Sequence, residues 1–389
     1  MHNVVSGRGY RDITLDFSRC DAAFQGPMLA IVARAQTYWA DGVDISLELP
    51  LDSRLRGLFI NTNWAHLIDV RGQPESEYRG FRHVPAIKFK DARDQHDAVT
   101  RILRTLLAAL SGFDRADLRA IEWSLNEITD NVINHAESQT GGFVQVTNYA
   151  GAAKRIEFAV SDNGIGIPAS LRTTHPEWRS DTEALDKAIR EGVTRNKRVG
   201  QGNGLYGTWR ITELSEGRFE VYSGNAWLVS SPQQGLHIRD QQIPFRGSLI
   251  IASIKYAQPV DLSNALRFGE KKHTPVDFVE SQYETDDEGN LEFNLTAESD
   301  GFGSRAAGEP VRRKLANLSR LYPDKRIKVN LGDVPLISSS YADEVFGKMF
   351  VSMGPVRFSR QISFKNIDPL VEQLINKAIM QRMTAPIND

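Results

Sequence analysis

The 389-residue sequence has a single cysteine, Cys20, so no internal disulfide forms, and no Cys/His cluster offers a zinc site. A reducing, cytoplasmic setting is the expectation. Charge of one sign is also missing: 47 Lys and Arg stand against 49 Asp and Glu, a net charge of −2. That balance provides no general basic field for nucleic acid or an anionic membrane, so neither is expected as a partner. No stretch approaches the ~20 apolar residues that span a bilayer, and the opening MHNVVSGRGYRDITLDF has no apolar segment behind a basic one. Neither a membrane span nor a signal peptide is expected. Short-period repeats and low-complexity tracts are absent too. What remains is ordinary globular material, 41% hydrophobic and 25% charged, long enough for two or three domains at ~100–200 residues each.

The apolar spacing divides the chain into three parts. ITLDFS (13–18) reads as a strand, MLAIVARAQTYWADG (28–42) as a helix with a glycine stop, and VDISLELP (43–50) as a second strand. A helical crossover permits parallel strands, so residues 1–90 are expected to form a small α/β domain closed by the turn-rich 71–80 segment. From residue 91 the pattern changes to two long helices, then strands GGFVQVTNYA and RIEFAVSDNG, a Gly-rich stretch at 200–207, and strands RFEVYSG and GSLIIASI. Helices followed by a largely antiparallel sheet predict an α+β layered domain over 91–258. Beyond a polar linker, residues 259–389 repeat the first part's alternation of strand (LEFNLT, RIKVNLGDV) and helix (EPVRRKLANLSRLY, SYADEVFGKMFVSM).

Three stretches carry chemistry. In AIEWSLNEITDNVINHA (120–136), Ile121, Leu125, Ile128 and Val132 make one apolar stripe, while Glu127, Asp130, Asn131, Asn134 and His135 lie opposite. Charges alone would suit a solvated face, but two mid-helix Asn do not, because Asn competes for backbone hydrogen bonds. Next, Ser161-Asp162-Asn163-Gly164-Ile165-Gly166-Ile167-Pro168 follows an apolar strand. A carboxylate at a strand end accepts a hydrogen bond from an exocyclic amine, and the glycines let a ligand approach the backbone. Last, Gly200-Gln201-Gly202-Asn203-Gly204-Leu205-Tyr206-Gly207 can present backbone N–H groups to phosphates at the start of a helix. Taken singly, the second is an ordinary turn and the third an ordinary flexible loop.

Their order and spacing, completed by Gly247-Ser248 before a strand, resemble the four motifs of the GHKL ATPases, shared by gyrase-type topoisomerases, heat-shock chaperones, histidine kinases and mismatch-repair proteins. The resemblance runs over about residues 95 to 255 and implies the GHKL (Bergerat) sandwich with ATP and Mg²⁺ as ligands. It implies that Asn131 holds Mg²⁺ through its side-chain oxygen and that Asp162 reads the adenine amino group. Gly164 and Gly166 would line base and ribose, with Ser248 supporting the adenine side. Gly202, Gly204, Leu205 and Gly207 would cradle the phosphates. Glu127 would polarise an attacking water or hydroxyl. Residues 171–199 correspond to the family's mobile lid, where Lys197, with Arg195 and Arg198 nearby, is the candidate γ-phosphate contact.

Glu127-x-x-x-Asn131-x-x-x-His135 is similar to the anti-sigma-factor serine kinases of partner-switching systems. A histidine kinase would carry an acceptor His on a two-helix hairpin, whereas His96 opens one helix with none paired before it. RIKVNLGDVPLISSSYADEVFGKMF (326–350) resembles the STAS-like domains, whose loop-to-helix Ser or Thr is a phosphoacceptor, and Ser339 is the position that matches. Ser338 stands where the family has an acid, so Ser338 to Ser340 read equally as a helix cap. The N-terminal part has STAS-like element order but no comparable serine. The expected protein is thus α+β, a GHKL domain flanked by two small STAS-like domains. It would use Mg-ATP for hydrolysis or Ser/Thr phosphorylation of a protein partner, such as a STAS-domain or sigma-factor-like protein, and would form a homodimer. The alternative is a non-catalytic switch gated by ATP. A dimeric DNA-repair clamp suits the sequence poorly, since no basic stripe is present.

Overall fold

The computed structural model describes residues 1–389 except 79, 81, 110–112, 152–153, 191–192, 194–202, 257–259, 269–270, 274, 276, 285–288 and 385–389. The chain divides into two compact units, one of residues 1–103 and 116–275, the other of 104–115 and 276–389. From the N-terminus to residue 255 run β1 (Asp12–Asp16), α1 (Gln25–Ala40), β2 (Asp44–Glu48), α2 (Ser53–Asn61), α3 (Trp64–Ile68), β3 (His83–Phe89), α4 (Ala92–Ala109), α5 (Arg115–His135), β4 (Gly142–Tyr149), β5 (Arg155–Asp162), α6 (Ile167–Arg172), α7 (Asp181–Ala188), α8 (Gly204–Leu214), β6 (Arg218–Ser231) and β7 (Gly235–Lys255), all in the first unit save residues 104–109 of α4 and the first residue of α5.

Local sequence explains the elements that frame the site. α5 has no Gly or Pro, places Asp117 in its first turn and His135 in its last, in accord with the helix dipole, and ends where Glu137 turns to φ +54°. α1 stops at Gly42, φ +77°, with the Asp41 N–H bonded to the Thr37 carbonyl. α2 is capped by Asp52, whose carboxylate accepts from the Leu55 N–H at 2.8 Å.

Five strands form an antiparallel sheet in the order β3-β4-β5-β7-β6. β3 pairs with β4 from His83 to Phe89, so the sheet takes in a strand that the apolar spacing assigns to the N-terminal part. β1 and β2 form their own parallel pair, joined by α1 as the crossover reading expects. This N-terminal segment, expected as a separate module, shares one core with the sheet: Leu29, Val32, Ala33, Phe59 and Trp64 cluster with Ala86, Phe143 and Ala159. Each fully buried Leu, Val or Phe side chain among them contributes about 1.5–3 kcal/mol. Polar bonds add to the seam, from Gln25 to Glu157 (3.0 Å), Thr147 to Gln25 (2.7 Å) and Trp64 to Gln145 (2.7 Å). The unit extends past the expected boundary at 258, because Leu266 packs beside Trp123 and Gly207.

The period of two along a strand then fixes two faces. Phe143, Gln145, Thr147, Glu157 and Ala159 meet the N-terminal segment. Val160, Asp162, Ser248 and Ile250 fall on the other face.

The second unit holds a parallel three-stranded sheet, in the order Leu291–Asn294, Ile327–Asn330, Ile362–Lys365. Helices Arg305–Leu321 and Ser339–Ala342, the latter continued to Met353, lie in the connections, as parallel pairing demands.

Candidate functional site

α5, the end of β5, the Ser248–Ile250 stretch of β7, α6 and the start of α8 surround an open cavity with about 850 Å³ of atom-free space. Glu127, Asn131 and His135, four residues apart, supply the polar side of its helical wall, and Ile128 and Val132 supply the apolar side. The polar face read from the sequence therefore divides, since Asp130 and Asn134 are exposed. Asp162, Gly166, Gly204, Leu205 and Ser248 line the same cavity. Ile167, Leu171 and Ile250 add apolar surface for a flat ligand.

Asp162 is 3% exposed. Burial pushes its carboxyl up to about 6, although hydrogen bonds from the Gly164 N–H (2.7 Å) and from the backbone and hydroxyl of Ser248 pull the other way. Ser248, expected to support the adenine side, is bonded to Asp162. Behind it, Ser223 donates to the Gly247 carbonyl (2.8 Å), accepts from the Ile167 N–H (2.9 Å) and lies 3.2 Å from the Ser248 hydroxyl. This buttress was not evident in the sequence, where Ser223 is one more residue of an alternating strand. Glu127 is half-buried, and burial, reinforced by the charge of Asp130, lifts its carboxyl to about 7. That places a proton acceptor near neutrality beside Asn131, one helical turn away.

The glycines separate by role. A Cβ at Gly204 would fall against the Glu127 carboxylate, so this glycine lets the start of α8 approach the acid. Gly166, φ +82°, lines the cavity and leaves no room for a Cβ, which would sit 2.8 Å from Ser223 Oγ. Gly164 is not among the lining residues: its Cβ position is taken by the Ala136 carbonyl at the end of α5, which also accepts from the Ile165 N–H at 2.8 Å. Gly207 is likewise outside the cavity wall, its Cβ position taken by Trp123. Lys197 and Gly202, with Arg195 and Arg198, lie outside the described residues. Ser339 belongs to the second unit, exposed at the first position of its helix. The cap is Ser338, whose hydroxyl accepts from the Tyr341 N–H at 3.0 Å and lies 3.0 Å from Ser340 Oγ.

Comparison with known proteins agrees with this division. Residues 116–246 match the family of histidine kinase-, DNA gyrase B- and HSP90-like ATPases, and residues 307–372 match a STAS-like domain of unknown function. No curated protein matches the chain. Among solved structures, full-length ShkA in complex with AMPPNP is similar at 13% identity, over 93% of this chain and 70% of that one, with a TM-score of 0.23. No helix among the described residues is long and apolar enough to cross a membrane. The chain joins a GHKL-type ATPase domain to a STAS-like domain, and the first of these implies nucleotide binding.

Proposed function

We propose that this chain, in which a GHKL-type ATPase domain precedes a STAS-like domain, binds Mg-ATP in the cavity beside α5 and spends it on hydrolysis or on Ser/Thr phosphorylation within a partner-switching system. The observation that carries the proposal is that Glu127 and Asn131, Asp162, and Gly204, brought from three separate places in the sequence, line one cavity.

Asp162, when ionised, accepts a hydrogen bond from the adenine amine, and its burial strengthens that bond by keeping water from competing for it. Gly166 admits the base to the backbone. Gly204 and Leu205, at the N-terminus of the eleven-residue α8, face the phosphates with backbone N–H groups. Gly202 and Lys197 complete the phosphate side in this reading. The donor set suits magnesium: Asn131 offers a hard carboxamide oxygen on the cavity wall, and the nucleotide phosphates and water would supply the other ligands. Bound there, Mg²⁺ neutralises phosphate charge. Glu127 takes the proton of the attacking oxygen, from water or a serine hydroxyl, as that oxygen bonds to the γ-phosphorus and ADP departs.

Ser339 is the candidate acceptor because Ser338 already serves as cap, leaving the exposed neighbour at the helix start. The partner is a protein, with a STAS-type or sigma-factor-like one first in line, and the working form is a homodimer. In the non-catalytic version, nucleotide binding alone changes the surface offered to that partner.

The test is turnover of γ-labelled ATP by the full chain, with transfer located by intact and peptide mass spectrometry. Asn131→Ala should weaken Mg-dependent nucleotide binding, and Glu127→Ala should retain binding while losing turnover. Phosphate on residues 338–340 supports self-modification, whereas release of free phosphate with unchanged mass supports hydrolysis. Equal nucleotide binding by wild type and Asn131→Ala would refute the site assignment.

A further inference from the structure

Consecutive residues at the end of β5 point to opposite faces of the sheet. Asp162 faces the cavity. Asn163, 7% exposed, faces α1, where its side-chain N–H donates to Thr37 Oγ1 at 2.8 Å. The orientation of that amide is determined locally. Thr37 already donates its hydroxyl hydrogen to the Ala33 carbonyl at 3.0 Å, one turn back in α1, so only its lone pairs remain for Asn163. On the other side, the Ala136 carbonyl holds the same loop through the Ile165 N–H and occupies the space a Cβ of Gly164 would need. The Asp162–Gly166 turn is thus held between α5 and the N-terminal helix, and its glycines leave it little stiffness of its own.

We infer that Thr37 is a positioning residue for base recognition: through Asn163 it sets where the Asp162 carboxylate lies, and so couples the N-terminal segment to the adenine site. This rests on Asp162 reading the adenine amine, as proposed above. Thr37 does not line the cavity. Its contribution is to keep Asn163, and with it the next residue along the backbone, in one place. Valine has the same shape as threonine but no acceptor. In Thr37→Val the Asn163 amide is left buried without a partner, and the loop shifts to satisfy it.

The experiment compares dissociation constants of the full chain for ATP and for purine riboside triphosphate, which has the same phosphates and ring but no exocyclic amine. The ratio of the two reads the amine contact alone. Wild type should favour ATP, Thr37→Val should lose about 3- to 10-fold of that preference, the range for one buried hydrogen bond, and Thr37→Ser, which keeps the hydroxyl, should retain it. A preference unchanged in Thr37→Val, or lost equally in Thr37→Ser, overturns the inference. No preference in wild type instead refutes the role given to Asp162, and the inference falls with it.

Discussion

Replacing Glu127 with Gln removes a buried charge and the proposed base together, and the two consequences run in opposite directions. The folded chain holds the Glu127 carboxyl at about 7, against an ordinary 4.5, through burial and then the charge of Asp130. Between those values the folded state retains a proton that the unfolded state has released, so stability declines as pH rises through the window and stays reduced above it. At about 1.4 kcal/mol per pH unit the full cost would be about 3 kcal/mol, and water reaching the half-buried side chain brings it nearer to 2 kcal/mol. Below pH 4.5 it disappears. Glutamine has nearly the same shape and never ionises, so Glu127→Gln should be about 2 kcal/mol more stable than wild type at pH 8, with most of the gap closed at pH 5. Urea unfolding of the nucleotide-free full chain at both pH values measures this directly. A stability difference of the same size at pH 5 and pH 8 would refute the electrostatic account. The same variant should lose ~10²–10⁴-fold in phosphate release, the usual contribution of a positioned base.

Two further outcomes follow from the cavity walls. Burial holds Asp162 at about 6, and in the proposed reading its ionised form is the stronger acceptor for the adenine amine, so ATP affinity should fall by up to about tenfold between pH 7.5 and pH 5. Purine riboside triphosphate, whose phosphates titrate alike, should change less; equal loss for both ligands in a pH series of dissociation constants would refute the assignment. Gly204→Ala would put a methyl group where the end of the Glu127 side chain lies. That end is flexible, so the fold should survive with under ~1 kcal/mol lost while kcat drops about tenfold or more as the acid is displaced; stability and turnover measured together check both halves.

The parts of the site that the sequence revealed are those whose chemistry and geometry are local. On one helix, a four-residue spacing is enough to bring Glu127, Asn131 and His135 to a single wall. A strand running into Asp-x-Gly-x-Gly is enough to put Asp162 and Gly166 at its end. Helix and strand periods likewise predict most elements of both units. Glycine is ambiguous in sequence because it marks close approach without saying to what. Gly204 approaches an acid of the site, Gly164 the last carbonyl of α5, and Gly207 the ring of Trp123. Only long-range packing separates these three.

The second face of the sheet was hidden for a different reason. Gln145, Thr147 and Glu157 alternate with apolar residues as they would in a strand with one side in water. In the fold, Gln145 and Thr147 are 0% and 2% exposed, and their partners Trp64 and Gln25 come from the N-terminal segment. A polar residue that will find a buried partner carries the same pattern as one that will face solvent, and the partner lies 81 and 122 residues away respectively. Asn163 belongs to this class. Read in sequence it is a turn residue between an acid and a glycine. In the fold its amide is bonded 126 residues back along the chain, to Thr37. Since Asp162 and Asn163 share a peptide bond but face different layers, whatever moves α1 against the sheet bears on the residue proposed to read the base. If Asp162 reads the base as proposed, the covering of that second face by the N-terminal segment bears on nucleotide recognition as well as on stability.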